Sequence, residues 1–159
     1  MNSRRKQRLQ RYNNFMRRAL LGGMLLLASA GAVALEYRSV TVDAAVLYDA
    51  PSAQAKKLFI LSQNYPVEII VNLDRWLKVR DASGALAWIE SSALGEKRSV
   101  LVQVSEAEIR SQPDNGAPLV FKAERDVALE LIEISGAWIK IKHRDGLGGY
   151  IAAKDVWGI

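Results

Sequence analysis

Apolar and polar residues alternate in two short segments that lie far apart in the chain. Residues 75–80 read Arg-Trp-Leu-Lys-Val-Arg, which alternate apart from Leu77, and residues 138–142 read Trp-Ile-Lys-Ile-Lys. A period of two puts successive side chains on opposite faces, so each segment predicts a strand with one buried and one solvated face. The runs 67–71 and 127–134 are richer in aliphatic and β-branched residues, which is typical of more deeply buried strands. After residue 35, no segment keeps a helical period over three turns.

A glycine-containing turn follows each alternating segment. Residues 81–84 read Asp-Ala-Ser-Gly, and residues 143–146 read His-Arg-Asp-Gly. Asp and Ser commonly begin turns and Gly accepts a positive φ, so Gly84 and Gly146 are predicted to be structural. The elements expected next are return strands at 86–90 and 148–152, then single helical turns at 91–94 and 153–156.

The second half of the chain repeats the first. Residues 47–94 align with residues 109–156 at an offset of 62. A repeat of about 60 residues is too long for most solenoid units and long enough for a small domain. We therefore predict two domains, at residues 36–96 and 97–159. The identical pairs include Pro51/Pro113, Phe59/Phe121, Glu68/Glu130, Ile70/Ile132, Trp76/Trp138, Lys78/Lys140, Gly84/Gly146, Ile89/Ile151 and, at an offset of 60, Arg38/Arg98, Ser39/Ser99 and Val40/Val100.

Each unit carries the same ordered set of short motifs. An apolar segment ending in Pro precedes an aliphatic strand, a Trp-x-Lys strand, a Gly turn and an aromatic-Ile strand. The motif residues are 46–52, 66–70, 76–80 and 84–89 in the first unit and 107–113, 129–132, 138–142 and 145–151 in the second. This order resembles the bacterial Src-homology-3 domain over nearly all of residues 38–157. The resemblance implies an all-β fold of two tandem five-stranded barrels. Domains of this class are usually secreted or periplasmic and are often attached to cell-wall enzymes as targeting modules.

Residues 1–34 have the composition of an export signal. They hold seven of the 22 basic residues and none of the 17 acidic ones, and an apolar run follows Arg18. The run ends in small residues that include Ala32-Val33-Ala34. A basic region, a short hydrophobic core and an A-x-A exit are the parts of a secretory signal peptide. We therefore expect cleavage after Ala34.

An uncleaved N-terminal anchor is the alternative. The apolar stretch 19–35 comes close to the roughly 20 residues that a spanning helix needs, and the basic flank would stay inside the cell. Arg17-Arg18 also leaves twin-arginine export open beside the ordinary secretory route. Either form of residues 1–34 places residues 36–159 in the periplasm or outside the cell, and the anchor would hold them at the inner membrane.

The charge distribution argues against nucleic-acid binding. The formal net charge of the chain is +5, but residues 35–159 hold 15 basic against 17 acidic residues. The basic character therefore belongs to the export segment alone, and the predicted domains carry no excess of positive charge. Contact with a membrane is expected only through residues 1–34, if they are not cleaved.

The composition removes most kinds of catalytic site. The chain has no Cys and one His, His143, which takes the place of Asp81 in the repeat. Such a chain cannot supply a thiolate nucleophile or a His-rich metal site. Glu106 and Glu108 would share one face of a strand, but exposed charged edges commonly have this pattern. We therefore predict no enzyme activity, no catalytic residue, no metal and no cofactor.

Aromatic residues supply the candidate ligand-binding sites. Eukaryotic relatives of the family bind proline-rich peptides between stacked aromatics, but Arg75 and Ala137 replace one of the required Trp residues, so that mode is not expected. Rings that open the last strand often stay partly exposed and can stack on a sugar or a peptide. Trp157 is expected either to close its barrel or to contact the other unit. The candidate ligand-binding residues are Tyr48, Trp88, Arg110 and Tyr150, and structural roles are expected for Trp76 and Trp138.

Two functions fit these features. The first is a non-enzymatic, exported binding or adaptor module that contacts peptidoglycan or a periplasmic protein. Two weak sites on one chain would raise its avidity. The alternative is a rigid structural or interaction protein in which the two barrels pack together, with or without a membrane tether.

Overall fold

Two antiparallel sheets of seven strands each make up residues 35–159, the part of the chain that the computed structural model describes. The first sheet contains β1 (Glu36–Val40), β2 (Ala44–Tyr48), β3 (Lys57–Ser62), β4 (Pro66–Leu73), β5 (Trp76–Arg80), β6 (Leu86–Glu90) and β7 (Leu94–Gly95). The second contains β8 (Ser99–Val102), β9 (Glu106–Arg110), β10 (Leu119–Glu124), β11 (Ala128–Ser135), β12 (Trp138–Lys142), β13 (Gly148–Ala152) and β14 (Val156–Trp157). The predicted all-β class and tandem arrangement are confirmed.

The predicted signal or anchor segment, residues 1–34, lies outside the described residues. In residues 35–159, no helix is long and apolar enough to cross a membrane. The predicted helical turns are present as short 3-10 turns at Ser91–Ala93 and Ala153–Asp155.

The two sheets have the same topology. Their strand orders are β3-β2-β6-β5-β4-β1-β7 and β10-β9-β13-β12-β11-β8-β14. Each sheet adds two strands to the five expected, one at its start and a two-residue strand at its end. The predicted boundary between residues 96 and 97 falls between β7 and β8, where one sheet ends and the next begins.

Each sheet curls round a core of its own. The alternating side chains Leu77 and Val79 of β5 are fully buried, as are Ile139 and Ile141 of β12. All seven strands of the first sheet contribute to a single cluster, so the sheet curls into a small barrel whose edge strands β3 and β7 are not paired with each other. That cluster is Val40, Ala45, Leu47, Leu61, Val67, Leu77, Val79, Ala87, Ile89 and Leu94.

The two glycine turns have the conformation that the sequence predicts. Gly84 has φ +88 and Gly146 has φ +95, a region that strains any residue with a Cβ atom. No neighbouring atom lies within 4 Å of a Cβ built at either glycine, so backbone conformation rather than space requires glycine there. The Asp81 carboxylate further orders the first turn by accepting bonds from the Ser83 and Ala85 amides, each at 2.9 Å.

The outer face of β8 is covered, unlike the outer face of the other long strands of residues 35–159. All four residues of β8 are buried, although Val100 and Val102 alone belong to the core of the second barrel. Side chains alternate along a strand, so Ser99 and Leu101 point away from that core. They are only 3% and 2% exposed. Strand β4 of the first barrel lies beside β8, and Ser99 is hydrogen-bonded to Ser39 and Asn64 of the first barrel.

A hydrogen-bonded serine pair lies at the centre of this contact, which we call the joint. The Ser39 Oγ and Ser99 Oγ atoms are 2.6 Å apart and buried. Ser99 Oγ also donates to the Asn64 carbonyl at 2.5 Å. Because a hydroxyl has one hydrogen, Ser39 must be the donor to Ser99. Ser99 of the second barrel thus accepts a hydrogen bond from Ser39 and donates one to Asn64, both of the first barrel.

Aromatic and glycine contacts extend the joint. The Tyr37 and Trp157 rings meet edge to face with centroids 5.2 Å apart, so Trp157 contacts the other unit, one of its two expected roles. Arg98 donates to the Gly158 carbonyl at 2.8 Å and lies over the Tyr37 ring at 5.6 Å. The barrels are therefore packed together through polar, aromatic and backbone contacts. The joint is formed by β1, β4, β8 and β14. Strands β2, β5 and β6 of the first barrel, and β9, β12 and β13 of the second, do not contribute to it.

Candidate functional site

Three side chains form a row across the outer face of the first barrel. Lys78 of β5 is the cross-strand neighbour of Trp88 in β6, and Trp88 is the neighbour of Tyr48 in β2. The three residues alternate with buried core positions, so they lie on the outer face. The Lys78 Nζ atom lies 5.9 Å from the centroid of the Trp88 ring, within range of a cation-π contact. We call Lys78, Trp88 and Tyr48 the first row.

Trp76 packs against Tyr48 at one end of the first row. Its ring meets the Tyr48 ring edge to face at a centroid distance of 5.3 Å and an interplanar angle of 90°. Trp76 is only 7% exposed, yet it belongs to neither core cluster, because it points to the outer face of β5. A buried Trp edge fixes the orientation of the Tyr48 ring, so Trp76 acts as packing for the row.

The second barrel repeats the row at equivalent positions. Lys140 of β12 is the cross-strand neighbour of Tyr150 in β13, and Tyr150 is the neighbour of Arg110 in β9. We call Lys140, Tyr150 and Arg110 the second row. The four candidate ligand-binding residues are thus brought together as two pairs, Tyr48 with Trp88 and Arg110 with Tyr150.

The two rows differ in chemistry. Arg110 is held in place because it donates to the Ala117 carbonyl at 2.6 Å and forms an ion pair with Glu108. Trp138, the equivalent of Trp76, is only half-buried. The first row therefore presents two aromatic rings and one cation, whereas the second presents one ring and two cations.

The acidic pair that the sequence singled out is neutralised by local partners. Glu106 forms an ion pair with Lys122 at 2.6 Å, and Glu108 is paired with Arg110. The Glu106 contact raises the pKa of Lys122, chiefly through the hydrogen bond between them. His143 contacts Asp145 at 2.7 Å, and this hydrogen bond lowers the pKa of Asp145. Across residues 35–159, no group of three or more His, Asp or Glu side chains could hold a metal ion.

Two features of the sites were not found from the sequence. Lys78 and Lys140 align in the repeat, but their place beside Trp88 and Tyr150 depends on strand register. The matching Ser39 and Ser99 are a repeated motif in sequence, but their direct contact could not be inferred, because repetition gives equivalence and not proximity. Strand pairing across β5 and β6 is the signal that would have placed the lysines.

Comparisons with solved structures give distant likenesses. The structures of NlpC2 and NlpC1 from Trichomonas vaginalis are 18% and 20% identical, with TM-scores of 0.36 and 0.37. The aligned regions cover 79% and 86% of this chain, and 48% and 50% of the NlpC2 and NlpC1 chains. An NlpC/P60 family protein from Bacillus cereus ATCC 10987 is 13% identical with a TM-score of 0.37, covering 77% of this chain and 56% of its own. This chain spans about half the length of these structures.

Comparison with protein families gives a specific match. None of the curated proteins compared with this chain matches it. The family model of the bacterial SH3 domain matches twice, at residues 41–96 and at residues 103–158, which together make up more than half of the chain. The two matches fall on the two barrels and confirm the resemblance that the motifs indicate. The chain therefore belongs to the bacterial SH3 domain family and carries two copies of that domain in tandem.

Proposed function

We propose that this chain is a non-enzymatic binding module of the cell envelope, which binds peptidoglycan through the first and second rows. The observation that carries the proposal is the recurrence of a lysine–aromatic row at equivalent positions of both barrels. Membership of the bacterial SH3 domain family supports a binding rather than a catalytic role.

The chemistry of the rows suits a polymer of sugars and short acidic peptides. Aromatic faces provide apolar contact area for the C–H face of a sugar ring while their edges stay wet. A lysine beside such a ring can form charge-assisted hydrogen bonds with a carboxylate. Trp88 and Lys78 provide both groups within one row, as do Tyr150 and Lys140.

The joint makes the two rows one bivalent surface. The barrels are packed together through Ser39, Ser99 and Tyr37. Once the first row has bound the polymer, binding by the second row is therefore intramolecular and occurs at a high effective concentration. Each row by itself is small and is expected to bind weakly. The first row, with two rings, is expected to contribute more than the second.

A second candidate is a rigid interaction protein that presents a surface to a periplasmic protein. The burial of the outer face of β8 favours it, because such packing gives the tandem a fixed shape. The two candidates differ in the ligand and share the joint, so the identity of the bound material separates them.

Export is part of the proposal. The basic and apolar composition of residues 1–34 supports delivery of residues 36–159 to the periplasm, either free or held at the inner membrane. Cell fractionation followed by N-terminal sequencing tests this. A new N-terminus at Leu35 indicates cleavage, the intact N-terminus in the membrane fraction indicates an anchor, and recovery in the cytoplasm would contradict export.

Co-sedimentation with purified peptidoglycan sacculi tests binding. We expect the full chain to pellet with sacculi, and Trp88→Ala to weaken binding by roughly fivefold, the loss of about 1 kcal/mol of ring contact. Trp88→Phe should retain most of the binding. Ile60→Ala, which removes a 63% exposed apolar side chain from the edge strand β3, is the matched control and should bind as the wild type does. No retention of the wild type at low salt would exclude the peptidoglycan ligand.

A further inference from the structure

A polar groove lies beside the joint, apart from both rows. Its volume is about 640 Å³, within the range of small-molecule sites. Neither barrel forms it alone, because its walls come from both barrels and from the segment between them. The lining residues are Asp43, Ser62, Gln63, Asn64, Lys97, Asp126, Val127, Ala128, Glu130, Lys142, His143 and Arg144.

The groove is held open by the joint. Ser99 donates to the Asn64 carbonyl at 2.5 Å, and this bond fixes the turn of the first barrel that lines one wall. The equivalent turn of the second barrel contributes Asp126, and both Asn64 and Asp126 have φ 65. A wall built from two ordered turns is preformed, so a ligand would not have to pay the entropy of ordering them.

Charged groups of both signs remain unpaired in the groove. Lys97 and Glu130 form an ion pair with each other at 2.9 Å. His143 contacts Asp145 at 2.7 Å. Four further charged lining residues form no ion pair among residues 35–159. They are two cations, Lys142 and Arg144, and two carboxylates, Asp43 and Asp126.

This balance of charge selects one class of ligand. A polyanion would face the two unpaired carboxylates, and a polycation would face the two unpaired cations, so each would meet like charge. An apolar ligand would desolvate charged groups without compensating them. A small molecule with one ammonium and one carboxylate can pair with both kinds of group.

We propose that the groove binds a short peptide or amino acid in its zwitterionic form. Asp43 and Asp126 receive the ammonium group, and Lys142 and Arg144 receive the carboxylate. The site shares no residue with the two rows, so this proposal can fail without affecting the proposal that Trp88 binds peptidoglycan.

Calorimetric titration of the full chain with three forms of tri-alanine tests the proposal. The unblocked peptide carries both charges, the N-acetylated form only the carboxylate, and the C-terminal amide only the ammonium. We expect the unblocked peptide to bind at least tenfold more tightly than either blocked form. Equal affinities for the three forms, or no binding of the unblocked peptide, would overturn the proposal.

Variants assign the two ends of the ligand. The double variant Lys142→Gln, Arg144→Gln should lower the affinity for the unblocked peptide at least tenfold and leave the affinity for the amide unchanged. Lys154→Gln, an exposed lysine outside the groove, should change neither affinity. Trp88→Ala should also leave tri-alanine binding intact, which separates this site from the first row. A double variant that is folded by circular dichroism and keeps full affinity for the unblocked peptide would contradict the assignment.

Discussion

The hydroxyl oxygens of Ser39 and Ser99 lie 2.6 Å apart in the buried joint, and the two serines occupy equivalent positions in the two repeats. Each serine follows an arginine at the start of its barrel. The same position of each repeat thus provides one half of a contact between the two barrels. Because Ser99 also holds Asn64, the pair orders the turn that lines the groove.

Removal of the central hydroxyl should weaken the joint. Ser99→Ala leaves the Ser39 hydroxyl and the Asn64 carbonyl without their partner, in a site where Ser99 itself is 3% exposed. We expect the free energy of unfolding to fall by about 1–3 kcal/mol. Urea denaturation measures it, with Ser92→Ala, an exposed serine of a 3-10 turn, as the control. Equal stability of the two variants would show that the buried bonds contribute nothing.

A methyl group at Gly158 should also disturb the joint. Gly158 has φ +108, and a Cβ atom there would lie 3.0 Å from the Ser99 carbonyl oxygen and 3.2 Å from the Pro66 Cβ atom. Gly136 has φ +60 and no atom within 4 Å, so Gly136→Ala meets backbone strain without a clash. Both variants should lose about 1–2 kcal/mol from the positive φ, and Gly158→Ala should lose more in thermal or urea unfolding. An equal loss would mean that Gly158 does not press against the first barrel.

Gly84, in the first glycine turn, should not tolerate a β-branched residue. Gly84→Val forces a branched side chain into a backbone at φ +88, which we expect to cost about 1–3 kcal/mol. Ala85→Val places the same side chain one residue later, at an exposed position where φ is not positive, and should change stability little. Denaturation of both variants gives the comparison. A similar cost for both would count against the turn conformation.

Alkaline pH should loosen the joint through Tyr37. Burial raises the pKa of the Tyr37 phenol above its ordinary value of 10.0, and the Glu68 carboxylate adds to this. Arg98 and Arg80 lower the same pKa by a smaller amount. Because the folded state binds this proton more tightly, the contribution of Tyr37 is complete below pH 10.0 and is lost as the pH rises through the folded-state pKa.

The measurement is the urea midpoint as a function of pH for the wild type and for Tyr37→Phe, which cannot ionise at this position. Burial also raises the pKa of Tyr65, so the variant should keep part of the alkaline loss. We expect the midpoint of the wild type to fall more steeply above pH 10.0 than that of the variant. Parallel curves would show that Tyr37 ionises without cost in the joint.

The sequence predicts the strands well where they are long enough to show a period. Residues 75–80 alternate apart from Leu77, and the structure has a strand at Trp76–Arg80. The two-residue strands β7 and β14 carry no period, so they could not be foreseen. The Gly84 turn was predictable because it depends on local conformation alone.

The candidate site was predictable in its residues more than in its arrangement. The aromatic residues Trp88 and Tyr150 stand out by type, but the lysine beside each ring is set by the register of β5 with β6 and of β12 with β13. The joint and the groove depend on how two barrels pack, and packing of outer faces leaves no periodic pattern. Ser-Val-Leu-Val in β8 indicates two faces and does not indicate that both are covered.

Binding of sacculi by four proteins tests the central claim, that two equivalent rows act together, most directly. The proteins are the wild type, Trp88→Ala, Tyr150→Ala and the variant that carries both substitutions. Rows held at a fixed separation bind with avidity. We expect each single variant to weaken binding, Trp88→Ala more than Tyr150→Ala, and the double variant to bind more weakly than either single variant. Retention of the double variant at the wild-type level, with its fold intact by circular dichroism, would contradict the account.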